Sequence, residues 1–72
     1  MSAAAIVDDC PLTEREIDVL RVTRDGYSVA GIAARLYLAQ GTVRNHLSSA
    51  LQKTQTHTRH EAARYARAHD WL

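Results

Sequence analysis

The sequence predicts an all-α fold, a four-helix bundle, and three observations carry that expectation. Apolar residues recur at helical spacing, as at Val29, Ile32, Ala33 and Leu36, which lines them along one face of a helix. The β-branched residues are scattered rather than alternating, phenylalanine is absent and proline occurs once, so strands have no pattern to grow from. Two Thr-x-x-Glu pairs, Thr13 with Glu16 and Thr58 with Glu61, read as capping boxes, in which each side chain satisfies a backbone N–H that the first helical turn leaves unbonded.

Taken in order, residues 1–11 show no periodicity and run to Pro11; they read as a linker or disordered tail, leaving residues 12–72 as the domain. Helix 1 is expected over 14–24, opened by the Thr13 box, with Leu12 able to staple onto the first turn and Val19 and Leu20 facing inward. Gly26 supplies a left-handed stop. Helix 2 is expected over 29–36, capped by Ser28. "YLA" at 37–39 breaks its phase, and the apolar set Val43, Leu47, Ala50 and Leu51 then marks helix 3 over 40–53. Two short helices joined by three or four residues favour a steep crossing, the helix-turn-helix arrangement. "THT" at 56–58 ends helix 3, and helix 4 is expected over 59–69.

Composition narrows the chemistry. With 72 residues the chain holds one small domain, whose single core is marginal at that size. Cys10 is the only cysteine, which removes an internal disulfide and any Cys-x-x-Cys zinc pair and suits a reducing cytoplasm. No apolar run reaches the length of a membrane span, and "SAAAIV" at 2–7 lacks the basic flank of a signal peptide. Net charge is only +1, yet residues 1–27 hold six acids and three bases whereas residues 28–72 hold six bases and two acids. His57-x-x-His60 is the one suggestive metal spacing, but the remaining candidates, His46, His69 and Cys10, fall on separate elements, so no metal or other cofactor is expected. No Ser/His/Asp order or glycine-rich phosphate loop is present, and an enzyme is not expected.

Helix 3 carries the functional signal. Packing Val43 and Leu47 inward leaves positions 42, 44, 45, 48, 49 and 52 facing out, a row able to enter a major groove. Solvated helix faces tend to carry Glu and Lys pairs. This one has no acid from Gln40 to Gln52, so it can approach phosphates without repulsion. The competing reading is a small protein-interaction module that docks a partner through helix 3 or helix 4.

The segments "LTEREIDVL", "GYSVAGIAARLYLAQGTVRNHLSSAL" and "TRHEAARYARAHDWL" resemble the helix-turn-helix domain of LuxR/NarL/FixJ-type (GerE-type) transcription factors over residues 12–72, and the ending is similar to that of DesR-like two-component response regulators. The resemblance implies a sequence-specific DNA-binding regulator that places its third helix in the major groove and often follows a receiver domain. The 72 residues would then be an isolated effector domain or a small stand-alone regulator in the bacterial cytoplasm, on the nucleoid. Carried over by position, base contacts fall on Arg44, Asn45 and Ser48, and contacts to the DNA backbone on Ser28, Gln40, Thr42, His46, Ser49 and Lys53. The residue chemistry suits these roles, since Arg can bond guanine and Asn adenine through two hydrogen bonds each. No small-molecule ligand is implied.

Helix 4 shows two stripes. Ala62, Tyr65, Ala66 and His69, continued by Trp71 and Leu72, are expected to pack on helix 1. His60, Ala63, Arg64 and Arg67 form the other, which in the resembled family pairs two domains around a two-fold axis. Being small and charged, it predicts a weak homodimer, monomeric in dilute solution and paired on an inverted repeat with half-sites about 34 Å apart. Three departures from the family pattern stand out: Ala39 replaces the usual capping serine, Gln55 replaces a usual glycine after helix 3, and His60 follows Arg59 where an apolar residue is usual.

Overall fold

The structure, a computed structural model, describes residues 10–72. Most of the expected tail therefore lies outside the described residues. Four helices follow in order, α1 Glu14–Arg24, α2 Val29–Leu36, α3 Gln40–Thr54 and α4 Arg59–Ala68. Among the described residues there is no strand, and no helix is long and apolar enough to cross a membrane.

Both capping boxes form. At α1 the Glu16 amide donates to Thr13 Oγ1 (3.2 Å) and the Thr13 amide to Glu16 Oε1 (2.9 Å). At α4 the Glu61 amide donates to Thr58 Oγ1 (3.1 Å), while the Thr58 and His57 amides both donate to Glu61 Oε1 (3.1 and 2.9 Å). Gly26 takes φ +94° and terminates α1, as a residue free of a Cβ can. Ser28 accepts from the Gly31 amide at 3.1 Å and starts α2.

Three residues, Tyr37 to Ala39, separate α2 from α3. Tyr37 turns the chain in the left-handed region (φ 57°, ψ 44°) with its side chain 95% exposed, a conformation that costs a non-glycine residue roughly 1–2 kcal/mol. Ala39 caps α3 with no side-chain bond. Neither Gln40 nor Thr42 supplies the missing side-chain cap: Gln40 Oε1 instead accepts from Arg44 Nη2 at 3.4 Å. At the other end α3 runs one residue further than expected, to Thr54, whose buried hydroxyl donates back to the Ala50 carbonyl at 2.9 Å. Gln55 then adopts φ 56°, ψ 43°, the strained geometry its position predicted. Helix α4 ends one residue early, at Ala68, because His69 has left helical geometry (φ −95°, ψ 9°).

Leu12, Val19, Leu20, Ile32, Val43 and Leu47 form the core with alanines from α2, α3 and α4. Helix α4 contributes only Ala62, Ala63 and Ala66, side chains small enough for its backbone to lie close against α1 and α3. That packing corrects the expected stripes. The inward arc of α4 is centred on Ala66, between Ala62 and Ala63, so Tyr65 and His69 sit outside it. They are exposed and stacked on each other with ring centroids 4.2 Å apart, and Trp71 is tilted against both. Conversely Ala63, expected on the outward pairing stripe, is buried at 4% exposure, whereas its companions His60, Arg64 and Arg67 are exposed.

Candidate nucleic-acid interface

Helix α3 buries Val43, Leu47, Ala50 and Thr54. At 100° per residue the opposite face is centred on Gly41, Asn45, Ser48 and Gln52 with Arg44 at its edge, all exposed. Arg44, Asn45 and Ser48 thus share one face, as their spacing predicts. Sequence reasoning placed Gln52 on the outward row without giving it a contact and left Gly41 off the row altogether, although helical spacing alone puts Gly41 there. A Cβ at Gly41 would meet nothing within 4 Å, so this end of the face is open to a large partner.

The face is cationic by one residue. Among the described residues Asp18 pairs with Arg15 and Arg21, Asp25 with Arg24 and Glu16 with Lys53. Arg44 has no carboxylate partner and touches only the neutral Gln40 amide, which leaves its guanidinium donors largely free.

Thr42, His46, Ser49 and Lys53 lie on one flank of this face, and Thr42, His46 and Ser49 are half-buried. Here the structure holds a partnership that the sequence did not reveal. Lys53 Nζ lies 2.9 Å from Oε1 of Glu16, a carboxylate only 4% exposed and already engaged in the α1 capping box. Burial alone would push the Glu16 carboxyl up; the Ser49 hydroxyl, the Lys53 ammonium and the Thr13 amide outweigh it and hold the group below its ordinary value. Ser49 and Lys53, both expected at phosphates, are therefore also the groups that stabilise a buried charge linking α3 to the start of α1. The signal was out of reach of local spacing because the partners are 37 residues apart.

Ser28 and Gln40, exposed at the N-termini of α2 and α3, bracket the helix-turn-helix. Next to Ser28, the Arg35 guanidinium lies over the Tyr27 ring (4.6 Å to its centroid) and donates to its hydroxyl at 3.0 Å; Gly31 makes room, since a Cβ there would meet Tyr27 Cδ1 at 3.2 Å. On α4 the exposed His60, Arg64 and Arg67 edge a shallow depression with Thr23 and Arg24 of α1, floored by Ala63. Glu61, with its carboxyl held below the ordinary value chiefly by the His57 amide, belongs to the cap instead. Among the described residues no group of His, Cys, Asp and Glu side chains is placed to hold a metal ion.

Residues 10–66 match the family model described as bacterial regulatory proteins, luxR family. The chain is similar to an uncharacterized transcriptional regulatory protein, YvfU, of Bacillus subtilis (43% identical over 65 residues, covering 90% of this chain and 32% of that protein). It is also similar to the response regulator RamR of Streptomyces coelicolor (41% over 63 residues, 88% and 31%) and to the transcriptional regulatory protein DesR of Bacillus subtilis (39% over 62 residues, 86% and 31%). The chain spans about a third of the length of these relatives. A four-helix arrangement with a tight α2–α3 turn, an outward acid-free α3 face and a family match over most of its length together establish that this chain belongs to the luxR family of bacterial regulatory proteins.

Proposed function

We propose that the chain is the sequence-specific DNA-binding domain of a transcription regulator, inserting α3 into the major groove. The observation that carries this reading is the outward face of α3, where Arg44, Asn45 and Ser48 are exposed together with no acid between Gln40 and Gln52. In the groove Arg44 reads guanine O6 and N7, Asn45 an adenine edge, and the Ser48 hydroxyl either donor or acceptor. Ser28, Gln40, Thr42 and His46 meet the sugar-phosphate backbone and fix register. Ser49 and Lys53 join them with reduced weight: the ammonium has two donors left beyond the one on Glu16, but its charge is largely cancelled.

Two copies pair through the exposed residues of α4, His60, Arg64 and Arg67, over the floor of Ala63, and so read an inverted repeat. Relatives named as response regulators support a phosphorylated receiver domain on the N-terminal side in the full protein, with the regulator working in the cytoplasm. The domain performs no catalysis.

A duplex selected from a random library tests the reading. Arg44→Ala should weaken binding to it by about 1–3 kcal/mol and relax preference at one base pair, and the logarithm of affinity should fall with the logarithm of salt by about 0.9 per phosphate contact. Binding unchanged by the substitution, or insensitive to salt, overturns the proposal.

A further inference from the structure

Two residues on the flank of α3, Ser49 and Lys53, are shared between the proposed phosphate contacts and the buried Glu16 carboxylate. Helix capping does not require that sharing. The same Thr-x-x-Glu box at α4 is completed by backbone amides: Glu61 Oε1 accepts from His57 and Thr58, while Arg64 acts on it only through space. At α1 the Glu16 Oε1 that accepts from the Thr13 amide also takes Lys53 Nζ at 2.9 Å, from 37 residues away, and the carboxylate is 4% exposed.

An ammonium on a flexible stem, with three donors that can turn, is suited to phosphate as a point charge. On this flank the anionic oxygen it meets belongs instead to its own chain. Glu16 is fixed in place by α1, so it needs no ordering on arrival, as a phosphate does. The exchange is also one-sided, because moving the ammonium to a phosphate would leave a buried carboxylate without its counter-charge. We infer that Glu16 is an affinity-setting residue of the DNA site: an internal stand-in for phosphate that withholds the charge of Lys53 from the duplex backbone. The inference rests on the DNA-binding role proposed above and adds the side chain that limits its electrostatic part. The withheld contact carries no sequence information. Glu16 therefore sets how firmly any duplex is held and leaves the choice between sequences to Arg44, Asn45 and Ser48.

Fluorescence anisotropy on duplexes that carry a single half-site, library-selected or scrambled, reads one bound copy at a time. One further phosphate contact steepens the fall of log affinity with log salt by about 0.9, which makes it worth roughly eight-fold at 0.1 M relative to 1 M. Glu16→Gln should therefore bind both duplexes about five- to ten-fold more tightly than wild type at 0.1 M NaCl, with the advantage closing towards 1 M and the ratio between the duplexes unchanged. Tighter binding by a less stable protein is the opposite of what a purely structural Glu16 would give. The variant Glu16→Gln/Lys53→Met removes one charge of each sign and should return to within about two-fold of wild type. Binding is read well below the melting transition, and urea unfolding in the same buffer gives the folded fraction. Where Glu16→Gln is partly unfolded, the series is repeated in a Gln55→Gly background, in which relief of the left-handed strain at φ 56° restores stability.

Affinity and salt slope unchanged or lowered in folded Glu16→Gln overturn the inference. A double variant as tight as Glu16→Gln also overturns it, because the gain then owes nothing to Lys53, and so does one far weaker than wild type, because Lys53 then already meets phosphate. The base-reading role fails by a different readout: Arg44→Ala that leaves the ratio of selected to scrambled binding unchanged sinks the DNA proposal, whereas an intact Arg44 effect with no Glu16 effect sinks only the affinity-setting role.

Discussion

Replacing Glu16 with Gln keeps the shape of the side chain and one carbonyl oxygen for the Thr13 amide, and removes only the charge facing Lys53. At 2.9 Å and an effective dielectric constant near 20, the gross attraction is about 6 kcal/mol. Most of it is offset by withdrawing from water a carboxylate that is 4% exposed. The Lys53 side chain is 33% exposed, so its ammonium can turn to solvent once the charge is gone and no buried cation is stranded. The net cost is then that of a charged hydrogen bond, about 1–2 kcal/mol, or a fall in Tm of roughly 5–10 °C for a domain of this size. Glu16→Ala should cost about 1 kcal/mol more, because the capping box is lost as well. A double-mutant cycle of Glu16→Gln with Lys53→Met should return a coupling near 1 kcal/mol.

Acid gives a second handle on the same pair. The Glu16 carboxyl holds protons less tightly folded than unfolded, so its contribution is complete above the ordinary carboxylate pKa of about 4.3 and disappears as pH falls through the lowered native value. Urea unfolding followed from pH 7 to pH 3 should therefore show wild type losing its advantage over Glu16→Gln towards the acid end. Both proteins should still weaken there, since the Glu61 carboxyl, likewise lowered, is present in each. A gap between the two proteins that does not change with pH, or a coupling energy indistinguishable from zero, would refute the ion pair as a stabilising element.

Ala39→Ser should raise stability by about 0.5–1 kcal/mol, because residue 39 already has extended capping geometry (φ −71°, ψ 150°) and lacks only the oxygen; chemical denaturation reads the shift. Gln55→Gly should relieve the left-handed strain at φ 56° and gain about 1 kcal/mol in the same assay. Ala63→Leu should cost the isolated domain about 1–3 kcal/mol by overpacking the α4 contact. An unchanged melting temperature for that variant would put Ala63 back on the surface.

What was legible in the sequence was local. Thr13 with Glu16, Thr58 with Glu61, Ser28 and Gly26 each act within a few residues, so their spacing alone fixes three helix starts and one stop. The outward face of α3 followed for the same reason, Val43 and Leu47 setting the phase. What was not legible depended on neighbouring helices. Tyr65 and Ala63 both neighbour Ala62 and Ala66 at helical spacing, so the period alone could not say which of the two faces inward. The close approach of α4 admits only alanines, which turns Tyr65 to the edge and Ala63 inward. Glu16 was read as a capping residue, and nothing within its own helix could announce that Lys53, from the last turn of α3, would reach the same oxygen.

That shared oxygen changes how affinity for DNA must be divided. Lys53 would have been the second cation of α3, yet its charge is cancelled by Glu16, which leaves Arg44 as the unpaired one on the helix. In the proposed complex a single copy therefore presents base-reading groups with little general attraction for phosphate, which suppresses binding to arbitrary sequence as much as it limits affinity. The remaining arginines outside the ion pairs of the described residues, Arg35, Arg59, Arg64 and Arg67, lie on α2 and α4, so further attraction for phosphate has to come from elements other than α3. Under the proposed pairing of two copies, a site offering one half is therefore held poorly, while a site offering two doubles the base-reading contacts.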